Sequence, residues 1–94
     1  MRASYIADEA LAVSSSSTPL TAATYAGCNV AFIECQTAAV RFAVDGGTPT
    51  ATLGHVLEVG DTLTLDSPDQ LQKFRAIRRD GADAVLHCSY GRGD

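Results

Sequence analysis

Between Val40 and Arg79 apolar and polar residues alternate in short runs, each cut off by turn-forming residues. Val40-Arg41-Phe42-Ala43-Val44 leads straight into Asp45-Gly46-Gly47, and Val56, Leu57 and Val59 follow a Thr-rich stretch. Gly60-Asp61 then breaks the chain before Thr62-Leu63-Thr64-Leu65, and the region closes on Phe74-Arg75-Ala76-Ile77-Arg78. A period of two bounded by Gly, Pro and Asp predicts half-buried strands joined by tight turns.

The rest of the chain follows the same grammar. Residues 1–9 read as an arm or a first edge strand anchored by Tyr5 and Ile6, and Ala10 to Val13 alternates weakly. Ser14 to Pro19 reads as a strand end and turn, and the Thr, Ser and Pro around Leu20 to Tyr25 argue against a helix there. Asn29 to Gln36 is β-branched and aromatic enough for a central strand, which Gln36 to Ala39 should connect to Val40 as a hairpin neighbour. Ser67-Pro68-Asp69 has the make-up of a helix start, with Ser as N-cap and Pro at the first position, so one short helical turn is expected near 67–73. Ala84 to Tyr90 forms the last strand, with Leu86, Cys88 and Tyr90 on one face. Short strands at regular intervals indicate an all-β protein, a compact β-sandwich or barrel. No internal repeat interrupts residues 1–94, which read as one β-domain.

Composition narrows the functional classes. The 94 residues carry a formal net charge of −4, and an acidic chain repels a phosphate backbone that proteins neutralise with Lys and Arg. No nucleic acid is therefore expected as a partner. Arg75, Arg78 and Arg79 make a local basic spot that reads more simply as solvated strand faces or ion-pair partners. No apolar run approaches the ~20 residues of a membrane-spanning helix, so no membrane partner is expected. The N-terminus meets acids early and lacks the apolar core of a secretory signal. Three cysteines, Cys28, Cys35 and Cys88, cannot all pair within one chain and are expected as buried thiols from a reducing compartment.

Reaction chemistry finds little foothold. His55, His87 and the cysteines include zinc-ligand types, but no Cys-x-x-Cys pair is present, so no metal is expected. No Gly-x-Ser-x-Gly elbow or phosphate-binding glycine loop occurs. Asp45, Asp61, Asp66 and Asp69 lack the alternating spacing of a calcium loop and read as turn residues. The closing Arg92-Gly93-Asp94 matches an adhesion tripeptide and is read as chance. Neither catalytic residues nor a cofactor are expected, and the chain is read as non-enzymatic.

Two pieces carry a family resemblance. Val13-Ser14-Ser15 through Leu20 to Tyr25 is the first. The second runs from Val40-Arg41-Phe42-Ala43-Val44-Asp45-Gly46-Gly47 through Thr48-Pro49-Thr50-Ala51-Thr52-Leu53-Gly54-His55. It continues through Gly60-Asp61-Thr62-Leu63-Thr64-Leu65 and Phe74 to Arg78, and ends on Leu86 to Tyr90. The pattern resembles small virion proteins of tailed bacteriophages. The resemblance implies a β-sandwich of jelly-roll type and a place in the phage head, as a decoration (cement) or head-fibre protein made in the bacterial host cytoplasm. Its partners would be the major capsid protein and copies of itself, expected as a trimer. A neck or tail adaptor or fibre base is the alternative. A carbohydrate-binding β-sandwich comes after it, because the chain has no Trp and few aromatics for sugar stacking. The contact residues expected are Tyr5 and Ile6, then Thr48, Pro49, Thr50 and Thr52 in an exposed, extended loop, and Arg75 with Arg78 on a basic face.

Overall fold

The computed structural model describes residues 3–93 as eight strands and two short helices. The strands are β1 (Ala3–Val13), β2 (Thr18–Pro19), β3 (Val30–Gln36), β4 (Val40–Ala43), β5 (His55–Leu57), β6 (Thr62–Leu65), β7 (Arg75–Arg78) and β8 (Ala84–Gly93). One four-stranded sheet has the order β1-β8-β3-β6 and the other β2-β7-β4-β5, with every pairing antiparallel.

That order has a simple origin. The first strand pairs with the eighth, the second with the seventh, the third with the sixth and the fourth with the fifth. The chain is thus a long antiparallel ribbon folded back on itself near the β4–β5 loop. Lateral pairing of β3 with β8 and of β4 with β7 then divides the ribbon between two sheets. Eight strands in two such sheets are a jelly roll.

Alternation decides what lies between the sheets. In β8 the residues Ala84, Leu86, Cys88 and Tyr90 are buried, while Val85, His87 and Ser89 between them are half-exposed. β3 contributes Ala31, Ile33 and Cys35 to the same core, and β4 contributes Val40 and Phe42 from the facing sheet. Phe42 stacks on Phe74 with centroids 5.7 Å apart, and Tyr25 tilts against Tyr90 at 5.8 Å. Such aromatic pairs add about 0.5–1.5 kcal/mol beyond the area they bury.

The structure departs from the sequence reading in three places. Ala22–Tyr25 is a helical turn, α1, in addition to α2 (Pro68–Lys73). Ser67 caps α2 as expected, its side chain accepting from the Gln70 amide, and Pro68 opens it. α1 has no side-chain cap; it is held instead by Tyr25 against Tyr90, a tertiary contact that overrides weak propensity. β3 and β4 are not hairpin neighbours. A tight turn with Thr37 at φ 77° passes the chain from one sheet to the other, so the two strands face each other across the core. Thr18–Pro19, finally, expected within a strand end and turn, is a two-residue strand paired with β7, whereas Ala3 to Val13 is the first edge strand, one of the two readings of the N-terminus.

Candidate assembly surface

Alternate connections of an antiparallel fold emerge at opposite ends. The loops after β1, β3, β5 and β7 share one end of the sandwich. The other end carries the β2–β3 connection with α1, the β4–β5 loop, the β6–β7 connection with α2, and the start of β1 beside the end of β8. Tyr5, the Thr48–Thr52 loop and Arg75 belong to this second end, because Tyr5 pairs with Gly91, Gly91 with Val30, and Arg75 with Ala43. Arg78 pairs with Val40 and lies at the first end.

The two arginines therefore form no common basic face. Three positions apart in a strand, Arg75 and Arg78 also point to opposite sides of the sheet. Arg78 donates to Asp83 at 2.7 Å, and the neighbouring Arg79 is paired with Glu58 and Asp80. Arg75 makes no ion pair among the described residues.

Tyr5 and Ile6 sit at an irregularity in β1. The register with β8 slips between Tyr5 and Ala7, leaving Ile6 as the extra residue of a bulge. Both side chains are open to solvent, at 49% and 66% exposure. The strand approaches β8 closely here because Gly91 has no side chain: a Cβ on it would lie 2.1 Å from the Ser4 carbonyl oxygen.

The β4–β5 loop is the most elaborate feature of this end. It is not the extended segment expected from sequence. Pro49 is buried, and Thr50 to Leu53 is a tight turn closed by reciprocal backbone bonds between Thr50 and Leu53. The Thr52 amide donates to Thr50 Oγ1, and the Gly47 amide to Asp45 Oδ1. From β4, Arg41 reaches across and donates to the carbonyls of Ala51 and Gly54, each at 2.9 Å. Gly54 has φ 133°, and a Cβ there would crowd Phe42 O and Pro49 Cβ, so only glycine closes the loop without strain. Thr48, Thr50, Thr52 and Leu53 stay exposed. Beside the tip runs a half-open groove of ≈ 410 Å³, lined by Phe42, Val44, Pro49, Leu53 and His55 among others, with Asp45 on its wall.

Neighbouring segments brace the end. Tyr90 Oη donates to Glu9, which also accepts from Thr21 Oγ1 at 2.7 Å and ties β1 to the start of α1. Arg92 Nε donates to Gly27 O, and Asn29 exchanges two hydrogen bonds with Gly93.

Burial pushes the Cys88 thiol up to about 12 and raises Cys35, so both stay protonated, whereas the thiolate is the nucleophile and ligand. His55 tilts against Phe42 at the edge of one sheet, and His87 pairs with Asp8 at 3.3 Å on the outer face of the other. Among the described residues no three His, Cys, Asp or Glu groups gather closely enough to hold a metal ion.

Sequence reasoning named the Thr48–Thr52 loop and Tyr5–Ile6 but missed Leu53 and Arg41. An uncharged run containing one large aliphatic residue was the signal available for Leu53. Arg41 gave none, because a strand arginine does not announce which carbonyls it will reach. No protein-family model, curated protein or solved structure matches the chain.

Proposed function

We propose that this protein is a non-enzymatic structural component of a tailed-phage virion, bound to the outer face of the head shell as a decoration or cement protein beside further copies of itself. The observation that carries the reading is the β4–β5 loop, a rigid, Thr-lined projection on a small β-sandwich that carries no charged residue from Gly46 to Gly54. Six hydrogen bonds fix a loop that has no regular structure of its own. A loop ordered before it binds loses little entropy on binding. Exposed hydroxyls and backbone groups then serve a partner surface better than a pocket would.

Two further considerations support it. The sequence pattern resembles small phage virion proteins, and the jelly roll is an architecture that capsid and lectin domains share. The second is analogy of fold, which by itself says nothing of function. A part that binds only the assembled shell stabilises it by mass action and needs no chemistry. In this reading Tyr5, Ile6, Thr48, Thr50, Thr52 and Arg75 face the major capsid protein, since one end of the sandwich presents them together.

The test is electron cryo-microscopy of intact virions shown by mass spectrometry to contain this chain. Density of jelly-roll size at repeated positions on the shell is the expected result. Density confined to the neck or tail would transfer the protein to an adaptor role, and absence from purified virions would end the virion reading.

A further inference from the structure

β1 is held in place by contacts that a second copy of the chain supplies equally well. It stands at the edge of its sheet and pairs with β8 alone, while β8 keeps β3 on its other side. Ser14 to Ser17 joins it to β2 and belongs to no element. Ser15 and Ser16 are exposed, and two hydrogen bonds fasten this link among the described residues. The Arg78 amide donates to Ser14 O, and Thr18 Oγ1 donates to Ser16 O. A Ser run so lightly tied is a flexible hinge.

β1 does not leave its place without a substitute. Leu11 lies opposite Leu86 and Val13 opposite Ala84, and both side chains reach the core, at 8% and 0% exposure. Glu9 accepts from Thr21 Oγ1 and from Tyr90 Oη, the hydroxyl of a fully buried side chain. Withdrawal of β1 would open the core and leave that phenol unbonded, which costs more than a hydrogen bond gains. The site therefore selects its occupant. It takes a strand with a carboxylate two residues before Leu and four before Val. Glu9-Ala10-Leu11-Ala12-Val13 has this spacing, whereas the runs after Glu34 and Glu58 do not.

We propose that two copies of this chain exchange β1 reciprocally, each laying its Ala3–Val13 against the β8 of the other across a straightened Ser14–Ser17 hinge. Every contact of the single copy recurs between the copies, so the exchanged interface is packed like the core and needs no new surface. Hinge conformation and the entropy of association distinguish the two forms, which makes their ratio depend on concentration. A reciprocal exchange closes on two copies, not the three that the family resemblance implies. Tyr5 and Ile6 keep their exposed places beside the other copy's β8, so the surface proposed to face the capsid is unchanged. The exchange stands without the virion reading, and its test uses no virion.

Ala12 and Val85 are directly opposed in the β1–β8 pairing, one exposed and the other half-exposed, and an antiparallel pair is within disulfide reach. The full chain carrying Ala12→Cys and Val85→Cys is refolded from urea under reductant at micromolar and at millimolar concentration, then oxidised and separated by size. At micromolar concentration the disulfide should close within each chain and the mass remain 9.8 kDa. At millimolar concentration a species of twice that mass should appear, and it should stay a covalent dimer in denaturing gels without reductant. The second arm uses the chain without those substitutions, refolded in the same way and followed by sedimentation equilibrium. Gly-Ser-Gly-Ser inserted after Ser16 lets the hinge turn back easily and should lower the dimer-to-monomer ratio at least tenfold. The proposal is overturned by a monomer after every refolding, by a dimer whose disulfides stay within each chain, or by species that grow beyond two copies. An insertion that leaves the ratio unchanged overturns it as well.

Discussion

Gly91 shows how much one absent methyl can decide. With the Ser4 carbonyl oxygen 2.1 Å from where its Cβ would be, Gly91→Ala must push the first residues of β1 away from β8. Overpacking of this kind costs about 1–3 kcal/mol, and each kcal/mol lowers the melting temperature of a domain this size by about 4–8 °C. We expect a lower melting point together with faster hydrogen exchange at Tyr5; an unchanged exchange rate there would contradict the close approach. Tyr90 and Cys88 lead to a prediction of another sort. Burial, and after it the bond to Glu9, raises the Tyr90 phenol, and burial takes Cys88 to about 12. The unfolded chain releases these protons first, from ordinary values of 9.0 for the thiol and 10.0 for the phenol. Stability from this source is therefore complete below pH 9 and declines as pH rises toward 12, by about 1.4 kcal/mol per pH unit for each group titrating only in the unfolded state. Urea unfolding from neutral to alkaline pH should show a falling midpoint beginning near pH 9. Tyr90→Phe should make the fall above pH 10 shallower, and a flat profile would refute the assignment.

Among the elements, the β4–β5 loop depends most on one side chain outside it. Arg41→Ala removes two hydrogen bonds to Ala51 and Gly54, together worth about 1–3 kcal/mol at the usual net value of each. Because the loop hangs from the sheet rather than forming it, the loss should fall on local order. Proteolysis within Thr48–Gly54 is expected to accelerate several-fold while the melting point drops by only a few degrees. Equal protection in the variant would show that the reciprocal Thr50–Leu53 bonds hold the loop alone. The helices differ in the same respect. α2 was legible because Ser67 and Pro68 form a local start signal that the structure uses. α1 was not, because Ala22-Ala23-Thr24-Tyr25 carries no signal and its turn is held by Tyr90, far away in sequence.

At the scale of the molecule, the pairings join residues from opposite ends of the chain, Ala3 with Gly93 and Val13 with Ala84. Closing such long loops costs entropy before any contact repays it, and folds dominated by non-local pairing fold in milliseconds to seconds. Stopped-flow refolding should give a rate in that range. β8 lies between β1 and β3, so a chain ending before Ala84 should stay unfolded. A cooperative thermal transition in that truncated chain would contradict this view of the core.

The sequence alone determined every strand but Thr18–Pro19, the turns at Gly46 and Gly60, and the α2 start, because each is written in neighbouring residues. Alternation in Ala84 to Tyr90 already separated Leu86, Cys88 and Tyr90 from His87, and the structure buries the first three. It also located the exposed loop, since an uncharged Thr-Pro-Thr run beside glycines is a local property. Only the tertiary structure decided that β3 and β4 belong to different sheets, that Arg78 lies at the opposite end from Arg75, and that Arg41 ties down the loop bearing Leu53. Those outcomes depend on which distant strands share hydrogen bonds, and a period-two pattern states which face is buried but never against what.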